Sequence, residues 1–183
     1  MSSRFACRPL QIFGAFLTVA LLVAGCTSAA SHKTPGPTFD ASGFKLTSPA
    51  FSEGGDIPVK YTCLGGSLSI PVTWEGAPPE TRSMALIMED YSAQVTHWVV
   101  YNLPGATSGS LPDNYTRSKD AAPQAVTYLG PCPGNGNRNN YHLALYALSA
   151  PLKLKNATTL YEVENAMGDK VIASATLSGW YAM

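Results

Sequence analysis

The chain has 183 residues, 12 of them basic and 12 acidic, so it is formally neutral and carries no electrostatic footprint for nucleic acid. Three His and four Cys are spread along it without the spacing of zinc ligands, which argues against a structural metal site. What remains after its first forty or so residues suits one domain.

Residues 1–25 read as a targeting segment. Arg4 and Arg8 form a positive start, and Ile12 to Val23 is an apolar run of signal-peptide length, short for a spanning helix that needs roughly 20 apolar residues. The run ends in Val23-Ala24-Gly25-Cys26, small residues before a Cys, which resembles a bacterial lipobox. In a lipobox the Cys26 thiol is acylated, palmitate being among the chains used, and becomes the new N-terminus. Two acyl chains hold a protein stably at a membrane where one does not. An ordinary secreted protein and a retained signal anchor are the competing readings. The first reading places the protein at the cell membrane, lipid-anchored on the extracytoplasmic face. Removal of Arg4 and Arg8 leaves 10 basic against 12 acidic residues, formally −2.

Residues 26–42 are mostly Ser, Thr, Pro, Gly and Ala and read as a tether, and residues 43–183 as the folded domain. With Cys7 removed and Cys26 lipidated, Cys63 and Cys132 remain. Outside the cytoplasm such a pair is more often a disulfide than a metal site, two buried free thiols being the alternative. A bridge would close about 70 residues and contribute roughly 4 kcal/mol in the loop-entropy model.

The domain pattern is mainly β. Ile57 to Cys63 is strand-like, with a proline near its start. Met84 to Met88 is a continuous apolar run that suits a strand buried on both faces, and Trp98 to Tyr101 is another. Gly105 to Gln124 and Gly130 to Asn137 resist assignment and read as long loops, which in compact domains are often functional. Tyr141 to Leu148 is a third strand. Thr159 and Glu162 form a capping-box pair for a helix on which Leu160, Val163 and Met167 share a face, with Gly168 as its C-terminal cap. Val171 to Tyr181 alternates, with Val171, Ala173, Ala175 and Leu177 facing one way.

Three polar residues sit at the ends of these strands. Asp90 follows the first apolar run, His97 opens the second and Tyr141 opens the third. If the strands are neighbours, a carboxylate, an imidazole and a phenol share one mouth, beside a glycine-bearing loop whose N–H groups suit an anion. The plainer alternatives are a turn residue, a packing histidine and a core tyrosine.

Tyr61-Thr62-Cys63, Thr96 to Asn102, Gly130-Pro131-Cys132-Pro133, Leu145 to Leu148 and the closing Met167 to Tyr181, in that order, resemble the bacterial phosphatidylethanolamine-binding proteins, also called Raf kinase inhibitor-like proteins. The resemblance spans Phe44 to Tyr181. It implies a β-sheet fold with one C-terminal helix and a long loop, no cofactor, and a small pocket for an anion or phospholipid head group. In that family the pocket is lined by an Asp of an Asp-Pro-Asp-x-Pro motif, a His before an apolar strand, and a His and a Tyr of a His-Arg-Tyr motif. These fall on Asp90, His97, Asn139 and Tyr141 here. Cys63 and Cys132 fall in segments near the pocket, in line with the disulfide.

This chain departs from both motifs. Asp90-Tyr91-Ser92-Ala93-Gln94 lacks both prolines and the second carboxylate, and Asn139-Asn140-Tyr141 puts an amide, which cannot become cationic, in place of the second imidazole. His142 points to the opposite face, whereas Arg138 could swing in to supply positive charge. Asp90 and His97 could pair as acid and base, but no nucleophile, Gly-x-Ser-x-Gly elbow or His-Glu-x-x-His motif accompanies them. The sequence therefore reads as a non-enzymatic binding module. A protein-interaction or protease-inhibitor-like module using the Gly105–Gln124 loop, with an envelope protein as partner, is the alternative.

Overall fold

The computed structural model describes residues 43–134, 136–157 and 159–183. The signal segment 1–25, Cys26 and the tether 26–42 lie outside the described residues.

The strands are β1 (Lys45–Thr47), β2 (Gly55–Asp56), β3 (Val72–Glu75), β4 (Ser83–Asp90), β5 (Val95–Pro104), β6 (Gly109–Leu111), β7 (Gln124–Val126), β8 (Arg138–Leu148) and β9 (Val171–Ala182), with one α-helix, α1 (Leu160–Met167), before β9. They form a small sheet in the order β1-β3-β6 and a large sheet in the order β2-β9-β8-β4-β5-β7. In the large sheet only the short β2–β9 pairing is parallel.

Alternation along the central strands builds two cores. On β4, Met84, Leu86 and Met88 face the small sheet and join Leu46, Val72, Trp74 and Leu111. The intervening Ala85 and Ile87 face the other way and pack with Val163 and Met167 of α1. The continuous apolar run of β4 is thus explained: a strand covered on both faces cannot afford a polar side. The helix begins as its sequence predicts. The Thr159 hydroxyl accepts from the Glu162 N–H at 3.2 Å and the Glu162 carboxylate accepts from the Thr159 N–H at 3.0 Å. Gly168 ends it with φ +37° and ψ −119°, a positive φ but not the left-handed helical cap expected.

Three expectations are corrected. Ile57 to Cys63 is not a strand but part of two 3-10 turns, Val59–Tyr61 and Cys63–Gly65. Ile57 and Tyr61 are buried while Val59 is 54% exposed, a spacing of four that a strand cannot give, since it would turn all three the same way. Val171 does not share the face of Ala173. A bulge pairs Leu148 with Val171 directly after Ala147 with Ala173, and Val171 joins the helix-side core. Gly105 to Gln124 is not simply an open loop. It contributes β6 to the small sheet, and its 3-10 turn Tyr115–Arg117 is pinned by Thr116 N–H to Ser69 Oγ at 3.1 Å and Thr116 Oγ1 to Gln124 Oε1 at 2.7 Å.

Candidate ligand pocket

Strand pairing decides which polar residues meet. Asp90 lies directly opposite Tyr141 across β4 and β8. Both continue the inward-facing parity of Met88 and Leu143, and Asn139 keeps it two residues before Tyr141. His97 should not belong to this set. On β5, Trp98 and Val100 face the inner core and Val99 and Tyr101 the helix side, so simple alternation would send His97 outward. Between Met88–Trp98 and Glu89–Thr96 the register slips by one, and His97 is the extra residue. This β-bulge re-aims the imidazole to the inner side, where its ring meets the Tyr141 ring edge-on at 5.1 Å between centroids.

The resulting cavity has a volume of about 360 Å³ and is lined by Asp90, Val95, His97, Leu129, Cys132 to Gly134, Asn137, Asn139 and Tyr141, among others. It sits at the lower end of the size range of small-molecule sites. All four residues assigned from the sequence are therefore gathered at one place.

Each polar group is held in a definite state. Asp90 is buried, and its Oδ1 accepts from the backbone N–H groups of Ser92 (2.9 Å) and Ala93 (3.0 Å). Its Oδ2 accepts from the Asn139 amide at 2.7 Å. The Asp-x-Ser turn, which contains no proline, is thus held by hydrogen bonds to the carboxylate. Asn139 takes the position of the family's second imidazole as a neutral clamp on the carboxylate. With its oxygens so used, Asp90 makes no hydrogen bond to His97, and the acid–base pair considered from sequence does not form.

His97 Nδ1 donates to the Leu129 carbonyl at 2.7 Å, which leaves Nε2 as the ring's free position. Burial is the main cause that pushes its pKa below the ordinary 6.5; the Leu129 carbonyl and the Asp90 charge act the other way. The Tyr141 ring is fully buried, and its hydroxyl has no hydrogen-bond partner. The Asp90 carboxylate and the Cys132 backbone N–H both lie close enough to interact with that hydroxyl, and neither forms a well-directed bond to it. Burial first, then Asp90, raises its pKa, so the phenol is a proton donor at any physiological pH.

Two further residues behave differently from one another. His142 faces outward, as its parity requires, and stacks on Tyr91 at 4.6 Å. Arg138 does not swing into the cavity. Its guanidinium donates to Asp56 at 2.8 Å and lies over the Trp180 ring at 4.7 Å, beside a separate depression lined by Val59 and Tyr181. It has the parity of His142 rather than of Asn139, so the strand turns it away.

Sequence reading missed the Leu129 carbonyl, which sets the imidazole tautomer, and the Val95 and Asn137 walls. No residue-type signal marks a backbone carbonyl. Cys63 and Cys132 are disulfide-bonded, and Cys132 lies in the cavity wall. The wall is tied to the same neighbouring turn by Cys63 N–H to the Pro131 carbonyl (3.1 Å) and by the Tyr128 hydroxyl to the Tyr61 carbonyl (2.9 Å).

The family model for phosphatidylethanolamine-binding protein matches residues 47–182. The chain belongs to the phosphatidylethanolamine-binding protein family. Among the family's members, a UPF0098 protein of Methanothermobacter thermautotrophicus is 37% identical over 74% of this chain and 97% of its own. The Mycobacterium tuberculosis protein named "Putative lipoprotein LppC" is 30% identical, with 99% of each chain covered. A solved phosphatidylethanolamine-binding protein homolog from Chlamydia trachomatis superposes with a TM-score of 0.68 at 33% identity, over 76% of this chain and 97% of that one. Escherichia coli YbcL has the same fold, with a TM-score of 0.69 at 24% identity over 78% and 99% of the two chains.

Proposed function

We propose that this family member is a lipid-anchored, non-enzymatic binding protein on the extracytoplasmic face of a cell membrane, and that its cavity takes a small anion or a phospholipid head group. The anchor reading is supported by the lipobox at Cys26 and by similarity over the full length to a protein named as a lipoprotein. The pocket reading rests on one observation above all. A fully buried phenol hydroxyl without a well-directed hydrogen bond lies beside an imidazole whose Nε2 is free, and poorly satisfied buried polar groups are costly unless something meets them.

The chemistry follows from the two groups. Tyr141 donates one hydrogen bond to a ligand oxygen. Neutral His97 can only accept at Nε2, so an anionic oxygen placed there draws a proton onto the ring, and the imidazolium then offsets both the ligand and Asp90. Anion binding is therefore coupled to proton uptake.

Millimolar acetate, phosphate or phosphoethanolamine should raise the melting temperature, because a ligand that binds only the folded state stabilises it. Acetate does not titrate between pH 6 and 8, so it isolates the protein's own proton, and its affinity should increase as pH falls across that range. The ligand-free protein carries the opposite sign. A histidine with a lowered folded pKa contributes stability that is present above pH 6.5 and lost as pH falls from 6.5 toward the folded value. Acetate should reduce that acid loss. No melting shift with any of the three anions would remove the pocket reading.

A further inference from the structure

Most large apolar side chains exposed among the described residues gather at the end of the molecule that carries the cavity. Val95 and Leu129 line the cavity, and Leu129 is 51% exposed. Leu64, 64% exposed, follows Cys63, which is bonded to cavity-wall Cys132. The Met183 sulfur lies 3.9 Å from Cys132 Sγ. Val59 borders the Leu64 turn so closely that a Cβ on Gly65 would meet the Val59 carbonyl at 1.9 Å. The exceptions are Tyr91, which stacks on outward-facing His142, and Tyr161 on α1. The rim is assembled from four separate chain segments; of the charged groups beside it, Lys60 pairs with Asp113 and Arg138 with Asp56, while the exposed Arg117 guanidinium donates to the Gly66 carbonyl at 3.3 Å.

We infer that this apolar rim seats the domain in a lipid bilayer, with the cavity mouth at the membrane surface. The inference builds on the lipid-anchored reading above. Its occupant is argued from three features. The rim offers Val, Leu and Met, whereas hot spots for protein partners are enriched in Trp, Tyr and Arg and poor in Leu and Val. Aliphatic tips suit shallow insertion among acyl chains, where binding scales with buried apolar area. The chain between Cys26 and Gly43 can span at most about 60 Å even fully extended, so an acylated Cys26 holds the domain within reach of the bilayer. Seating of this kind would bring a head group to the cavity without extracting the lipid.

The test uses the full acylated protein in vesicles of phosphatidylethanolamine and phosphatidylglycerol whose acyl chains carry bromine. Single tryptophans are introduced as Leu64→Trp, Leu129→Trp and, as a control on α1, Tyr161→Trp. The mass of the acyl group on Cys26 is verified first, so that failure of the anchor reading is seen separately. Bromine should quench the added fluorescence at positions 64 and 129 by at least twofold and leave position 161 unquenched, and the pattern should persist at 0.5 M salt because the contact buries apolar surface. An anchored protein with both rim probes unquenched would overturn the inference and leave the rim to a protein partner. Quenching that vanishes at high salt, or that appears only at position 161, would overturn it as well. His97→Ala should abolish the acetate-induced melting shift without altering the quenching, which separates this inference from the pocket reading.

Discussion

Removing the Cys63–Cys132 bond, by reductant or by Cys63→Ser with Cys132→Ser, is expected to lower unfolding stability by about 4 kcal/mol. The bond spans 69 residues of sequence, so its loss frees a long loop in the unfolded chain. It does more in the folded state than staple distant points. Cys132 forms part of the cavity wall, and besides packing, the remaining ties between that wall and the Tyr61–Cys63 segment are two hydrogen bonds. Each contributes only about 1 kcal/mol net. The reduced protein should therefore keep its sheets, lose affinity for acetate, and unfold at a lower urea midpoint with little loss of far-ultraviolet circular dichroism. A change in stability below about 1 kcal/mol would mean that the bond is incidental.

Asp90→Ala should cost about 3 kcal/mol, with Asp90→Asn costing about 1 kcal/mol. The alanine variant strips the acceptor from three N–H donors at once, those of Ser92, Ala93 and the Asn139 side chain. The asparagine variant keeps one oxygen for the turn, and the Asn139 amide can rotate to present its own oxygen to the new NH₂ group. Urea denaturation of the two variants side by side reads the difference. Equal losses would show that the carboxylate's negative charge, and not its geometry as a clamp, holds this corner together.

Much of the fold was legible because its signals are redundant. The apolar run at Met84 to Met88 suits a strand covered on both faces, as β4 is, and the Thr159–Glu162 pair marks a helix start by two reciprocal hydrogen bonds. The Cys63–Cys132 pairing followed from compartment and count, and the structure contains it. Where the reading failed, a local device overrode a regular period. Ile57 to Cys63 is strand-like in residue type, yet the Pro58 carbonyl accepts from the Tyr61 N–H and starts a 3-10 turn. Val171 was placed on the wrong face because a bulge is invisible in residue types.

The site shows the same limit more sharply. Asp90, Asn139 and Tyr141 follow from strand parity once β4 and β8 are known to be neighbours. His97 does not, since alternation alone would point it at the helix side of the sheet. Only the register slip in β5 brings it to Tyr141. Asn139 reads as a lost imidazole, but nothing in its residue type marks it as the donor to the Asp90 carboxylate. Arg138 was allowed into the pocket by loop freedom that it does not have, because it is already on β8 and committed to Asp56 and Trp180.

The function of this pocket turns on whether an anion enters between Tyr141 and His97 and carries a proton with it. Nitrogen-15 spectra of the imidazole rings, recorded at pH 7 while acetate is titrated to saturation, read this directly. Ligand-free His97 should show a protonated Nδ1 and a bare Nε2, as its bond to the Leu129 carbonyl requires. At saturation both ring nitrogens should carry protons, while the His142 signals stay where they were. A His97 Nε2 that remains bare throughout the titration would contradict the account.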